Sequence, residues 1–240
     1  MTDLYKTPKE LNLVFLDAEK AYNQLNEHEK DYAYALYEAV WEGAPIVARQ
    51  CSAESENLLN LIVSMFSNLS KTELFEFTDY AESFGLDKTD AQDFVNYFAL
   101  VCANLGNYRS FGDRKIVPRL SEDKMDKIVV TLFPEHINKY NELKGKIYSL
   151  NDNEKMLGYP PNNTTMYLSS NLTKIEVDIV DEFLVESKLE GWNTRLVKLD
   201  SDNPLYIVYI ASAYVPEEKH VTNVRTYKGL SIVVSYGDHS

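Results

Sequence analysis

Histidine is scarce in this chain: four in 240 residues, at His28, His136, His220 and His239. No two of them stand at the spacing of a helical metal motif, which argues against a zinc site built within the chain. Cysteine is scarcer still, with Cys51 and Cys102 alone. Neither belongs to a Cys-x-x-Cys pair, so a metal knuckle or a dithiol redox site is unsupported, and both read as buried free thiols in a reducing compartment. Nine scattered glycines form no phosphate-cradling loop, and no Gly-x-Ser-x-Gly elbow occurs. No stretch approaches the roughly 20 apolar residues of a membrane span. The first residues, Met1 to Lys6, lack the apolar run of a signal peptide. Four sequons, at Asn68, Asn162, Asn163 and Asn171, are therefore expected to stay unglycosylated, and the expected compartment is cytoplasmic.

Positive charge is also short. Net charge is −13, from 24 Lys and Arg against 37 Asp and Glu. A nucleic-acid partner needs clustered cations to neutralise phosphates, so none is expected, nor is a membrane partner. Apolar residues make up 45% and charged residues 25%, ordinary for a globular protein with a sizeable core. Tyrosine is plentiful at 17, which suggests half-buried surfaces with polar rims.

Periodicity predicts helices over residues 1–150. Ala33, Leu36, Tyr37, Val40 and Trp41 line one face of a helix from about Glu27, which Gly43-Ala44-Pro45 should kink or break. Ser52 is expected to cap the next, with Leu58, Leu61, Ile62, Met65, Phe66 and Leu69 as its stripe. A third runs from near Thr72 to Gly85, with Leu74, Phe75, Phe77 and Phe84 as its apolar content. A fourth, to Leu105, carries Phe94, Val95, Phe98, Val101 and Cys102. Ser121 opens a fifth with Met125, Ile128, Val129, Leu132 and Phe133 inward, and Pro134 a sixth with Ile137, Tyr140, Ile147 and Tyr148. The residues up to Leu11 are expected to be loosely held, and Leu13 to Ala18 fits either a short strand or a turn of helix.

Turn residues dominate from Asn151 to Ser170, and the main seam is placed there, dividing residues 1–150 from 151–240. Met166 to Leu168 reads as a short strand. Thr173 caps a helix bearing Leu172, Ile175, Ile179, Val180, Phe183 and Leu184, closed by Gly191. Asn193 to Leu199 and Leu205 to Ala211 form a hairpin, with Leu205 to Ile210 a central strand covered on both faces. The alternation of Leu230, Ile232, Val234 and Tyr236 makes a last half-buried strand. Its position leaves it short of a partner to complete its sheet, and would leave a fragment with an exposed apolar edge there.

Between the fourth and fifth helices the periodicity stops. Asn104-Leu105-Gly106-Asn107-Tyr108-Arg109-Ser110-Phe111-Gly112-Asp113-Arg114-Lys115-Ile116-Val117-Pro118-Arg119 mixes glycine, asparagine, four cations and two aromatics. Gly106 is expected to end the helix in a left-handed conformation, and Tyr108 and Phe111 to pin an ordered connector. A plain interhelical loop is the other reading. Arg109, Arg114, Lys115 and Arg119 either bind an anion or pair with the protein's own carboxylates. Glu54, Glu56, Asp178 and Asp181 read as solvated helix faces.

The wording of this loop resembles the M49 metallopeptidases, the dipeptidyl peptidase III family. Tyr32-Ala33, Ala39-Val40-Trp41-Glu42-Gly43, Asn193-Thr194-Arg195-Leu196 and Val234-Ser235-Tyr236-Gly237-Asp238 are similar to that family too. The resemblance runs from about Tyr22 to Asp238 and covers roughly the first third of a member. It implies an α+β fold, a helical N-terminal part followed by an antiparallel, barrel-like sheet, resembling the family's lower lobe. It implies a full-length enzyme that holds zinc on an upper lobe and removes dipeptides from peptide substrates in the cleft. The zinc helix of the family reads His-Glu-x-x-x-His; here His28-Glu29 is the sole His-Glu pair, and Ala33 stands where the second histidine would fall. No catalytic, cofactor-binding or metal residue is therefore assigned within this chain, and whether it acts as an enzyme is left open. The implied partners are peptides and the missing upper lobe, with a stand-alone peptide-binding or scaffold module as the alternative.

Overall fold

The computed structural model describes residues 2–11, 17–160, 162–189, 194–210 and 223–237. The readings of Leu13 to Leu16, of Gly191 as a helix end, and of Asn193, Ala211, Asp238, His220 and His239 lie outside the described residues. The chain divides into two compact units, Met1–Leu150 and Asn151–Ser240.

The first unit is helical: α1 (Glu19–Tyr22), α2 (Glu27–Cys51), α3 (Ser55–Ser67), α4 (Lys71–Phe75), α5 (Phe77–Ser83), α6 (Lys88–Asn104), α7 (Glu122–Leu132) and α8 (Ile137–Tyr148). The stripes predicted for α3, α6, α7 and α8 meet in one core. Leu58, Leu61, Ile62 and Met65 of α3 pack with Phe94, Phe98 and Val101 of α6 and with Met125, Ile128 and Val129 of α7. Phe77, Phe94 and Phe133 lie nearly parallel, with centroids 5.8 to 6.3 Å apart, and Phe98 meets Phe94 edge-on at 4.6 Å. Such geometry keeps ring edges against ring faces or offset, the favourable arrangements of the aromatic quadrupole.

Several expectations need correction here. The third predicted helix is two short ones, α4 and α5, and Leu74, Phe75 and Phe84 are exposed. Residue Glu76 between them leaves helical geometry at ψ 37°, which rotates Phe77 into the core. Helix α2 runs through Pro45 unbroken. Proline removes one donor, from the Trp41 carbonyl; on an exposed turn water can replace it, so the helix continues. Its start is fixed by a reciprocal capping box, in which the Asn26 side chain accepts from Glu29 N–H and the Glu29 carboxylate from Asn26 N–H. The N-terminal segment is not loose. Thr7 N–H donates to Val117 O at 2.9 Å, Val117 N–H to Tyr5 O at 3.0 Å, and Asn96 Nδ2 to Lys9 O at 3.1 Å.

The second unit packs α9 (Lys174–Glu186) with four strands, β1 (Thr194–Leu199), β2 (Leu205–Ile210), β3 (Arg225–Tyr227) and β4 (Leu230–Tyr236). The order is β1-β2-β4-β3. The predicted β1–β2 hairpin is antiparallel, but β2 and β4 run parallel, pairing Leu205 with Ser231 through Ile210 with Tyr236. The sheet is therefore mixed rather than antiparallel and, among the described residues, open rather than a closed barrel. Nor does β4 want a partner: it is an interior strand between β2 and β3, which is why Ile232, Val233 and Val234 are all buried. Met166 to Leu168 makes an isolated bridge to β1 through Leu168 and Leu196, not a strand. On α9, Ile175 faces solvent; Val177, Val180, Phe183 and Leu184 turn inward.

Glu176 joins this helix to the sheet. Its carboxylate accepts from Lys198 Nζ at 2.8 Å and Tyr206 Oη at 2.6 Å, and from Thr173 N–H at 2.7 Å in the capping box of α9. Burial alone would raise this carboxyl, but the bonds from Lys198, Tyr206 and Thr173 outweigh it and hold it at about 2. The folded value lies below the ordinary 4.5. Its stabilisation is thus present above the ordinary value and lost as pH falls toward the folded one. A carboxyl displaced this far contributes about 3 kcal/mol. Protection of the β2 and β4 amides from hydrogen exchange is expected to fall by that amount between about pH 5 and about pH 2. Glu176→Gln should start lower and flatten this part of the pH dependence.

Candidate functional site

The irregular stretch after α6 is the organising feature of the first unit. The left-handed residue ending α6 is Leu105, at φ 50°, not Gly106. Gly106 is needed for space: a Cβ there would stand 2.5 Å from both Cys51 Sγ and Ser55 Oγ. The chain thus passes directly over the junction of α2 and α3. Tyr108 is buried as expected, and Tyr108 and Lys115 face each other in an antiparallel bridge, with Arg109 N–H donating to Arg114 O at 2.8 Å. The intervening residues turn through Gly112 at φ 99° and Asp113 at φ 58°. Phe111 sits at the tip and is 96% exposed, so it pins nothing, contrary to the expectation from sequence. The Asn104 side chain fixes the turn instead, accepting from Ser110 N–H and Oγ at 2.9 and 3.1 Å.

Beneath the loop lies a polar cluster that sequence reasoning missed. Lys115 is fully buried, with Nζ 3.7 Å from Glu54 Oε1 and 5.5 Å above the Tyr108 ring. Glu54 is buried too, not a solvated helix residue. Asn107 Nδ2 donates to Glu54 Oε1 at 2.8 Å, and Asn107 Oδ1 accepts from Ser52 Oγ at 3.1 Å and Ser55 Oγ at 3.3 Å. Ser52 therefore serves this cluster; it makes no N-cap for α3, whose N-cap is Glu54. The hydroxyls of Ser52 and Ser55 lie 2.7 Å apart. Burial pushes the Cys51 thiol up, against hydrogen bonds with Ser55 and from the Tyr108 backbone. A thiol raised in this way is a poor nucleophile. Among the described residues no histidine belongs to the cluster. The arrangement is a joint. It fastens the C-terminal root of α2 to α3, and its other flank, Val117 and Arg119, holds the N-terminal segment; Arg119 Nε donates to Thr7 O at 2.9 Å.

The sequence signal for this joint was a lysine and a glutamate in apolar or turn surroundings, which single-chain patterning assigns to solvent. Of the four loop cations, Lys115 pairs with Glu54, and Arg119 reaches Asp3 at 3.5 Å. This pairing accords with the carboxylate reading of the two. Glu56 is bonded to Arg49 at 2.6 Å and Asp178 to Lys174 at 2.8 Å, and Asp181 is exposed on α9. Cys102 is exposed rather than buried.

Among the described residues, no three of His, Cys, Asp and Glu converge as a metal-binding group. His28 lies in the exposed first turn of α2, and His136 Nε2 stands 3.5 Å from its neighbour Glu135. No helix among the described residues is long and apolar enough to cross a membrane.

The sequence model of peptidase family M49 matches residues 139–240. The dipeptidyl peptidase 3 of Dictyostelium discoideum is 33% identical over 237 residues, 96% of this chain and 32% of that relative. Those of Nematostella vectensis and Homo sapiens are 31% and 30% identical, each across 98% of this chain and covering 35% and 34% of the relative. The chain thus spans about a third of the length of the curated relatives it matches.

Proposed function

Because this chain belongs to peptidase family M49, we propose that it forms the N-terminal, zinc-free portion of a cytoplasmic dipeptidyl peptidase that removes dipeptides from peptide N-termini, and that it does not hydrolyse peptides by itself. The observation that carries this reading is the near-complete match of the chain to about one third of three dipeptidyl peptidases, in a sequence with no pair of histidines at ligand spacing. On this reading the chain supplies lower-lobe helices and the first strands of its sheet. Zinc, held by residues elsewhere in the enzyme, would polarise the scissile carbonyl and activate water.

The sheet edges support the same division of labour. An extended peptide binds by adding to an open strand edge. Here β2 and β4 are interior. The outer edge of β1 is occupied, with Leu196 N–H donating to Tyr167 O, Ser169 N–H to Leu196 O, and Asn171 Nδ2 to Lys198 O. The remaining edge, β3, is three residues long. Among the described residues no long edge is free for a peptide, which disfavours a stand-alone peptide-binding module.

The test compares the purified chain with a chimera in which it replaces its aligned third of the Dictyostelium relative. The chimera is expected to release dipeptides from dipeptidyl arylamides, and the chain alone to give no turnover above buffer. Chelator-sensitive turnover that scales with the concentration of the chain alone would overturn the proposal.

A further inference from the structure

Helix α2 is 25 residues long, yet Ala48 is its only buried residue. Its root is held by the joint beneath the loop, and the rest carries a continuous apolar stripe. Leu36, Tyr37, Val40 and Trp41 recur at three- and four-residue spacing, Val47 follows two turns beyond Val40 on the same face, and the five span about 17 Å of helix. All five are between 46 and 64% exposed. Glu27, Asp31, Glu38 and Glu42 recur at four- and seven-residue spacing on another face. This is the pattern of a helix with one covered side and one wet side, and among the described residues nothing covers the stripe. An uncovered helix of this length gains little stability from propensity alone.

We propose that the α2 stripe is the face onto which the portion of the M49 fold absent from this chain docks, leaving the acidic face in water. The inference rests on the reading above, that the chain is one portion of a larger M49 enzyme. Two observations choose this occupant. The similarity to the relatives runs through nearly the whole chain, α2 included, while about two thirds of each relative has no counterpart here. The charges of α2 point the same way: five carboxylates face two cations, and Lys30 and Arg49 are already paired with Glu27 and Glu56. Two copies of this acidic helix laid stripe to stripe would set like charges along the rims, which disfavours a second copy as the cover.

Hydrogen exchange on the chain and on the chimera tests this. In the chimera the α2 amides are expected to be at least about tenfold better protected, the effect of burying a single large apolar side chain. Trp41→Glu should leave the urea midpoint of the isolated chain unchanged and lower α2 protection in the chimera by about tenfold or more. A chimera that hydrolyses arylamides yet leaves α2 exchanging as fast as in the isolated chain overturns the inference. A concentration-dependent dimer of the isolated chain, dissolved by Trp41→Glu, assigns the stripe to a second copy and overturns it as well. A chimera without hydrolysis overturns the reading beneath it.

Discussion

Lys115→Ala is expected to lower the stability of the helical unit by about 3–5 kcal/mol, the range for breaking a buried ion pair from one side. The side chain is wholly inaccessible and its partner Glu54 nearly so. Removing the ammonium leaves a carboxylate in low dielectric with Asn107 as its hydrogen-bond donor and an empty space beside the Tyr108 ring. For a unit of this size the melting temperature should fall by on the order of 10 °C. The double substitution Lys115→Met with Glu54→Gln removes both charges and keeps most of the volume. It is expected to recover the greater part of the loss, because the cost lies in stranding one charge. Thermal and urea denaturation of the two variants beside the unsubstituted chain measure this. A loss below about 1 kcal/mol for Lys115→Ala would place the pair among weak surface bridges and remove the joint from the account.

Phe94→Ala should be as severe, at about 3–5 kcal/mol, for a different reason. Phe94 is fully buried and contacts Phe66, Phe77, Phe98 and Phe133 with centroids between 4.6 and 6.2 Å. Its loss opens a cavity among four rings from four segments, which cannot all collapse inward together. Phe94→Leu retains most of the volume and should cost about 1.5 kcal/mol or less. Phe111→Ala, at the exposed loop tip, should change stability by no more than about 0.5 kcal/mol. Urea midpoints of these three variants give the comparison. Equal effects at Phe94 and Phe111 would contradict the core described here.

The core helices were legible because their burial is written in the chain itself. The three- and four-residue spacing in α3, α6 and α7 names the inward residues directly, and Phe94, Met125 and Ile128 lie where it puts them. The same spacing in α2 identified a stripe but could not say what covers it; periodicity reports a face, not its neighbour. The parallel pairing of β2 with β4 was hidden because alternation of side chains is the same in either direction, and because the residues between them carry no helical period. The joint was hidden because its members are polar. Lys115 and Glu54 become buried only through a pairing across 61 positions of chain, and no local pattern encodes that. Gly106 serves space rather than helix termination: its missing Cβ leaves room for Cys51 and Ser55, while Leu105 takes the left-handed turn.

On the proposed reading the metal chemistry lies outside these residues, and its most direct measurement is the zinc content of the purified chain after equilibration with micromolar zinc and gel filtration. The account predicts far less than one ion per chain and no hydrolysis of dipeptidyl arylamides by the same sample. One tightly held zinc per chain, accompanied by chelator-sensitive turnover, would contradict it.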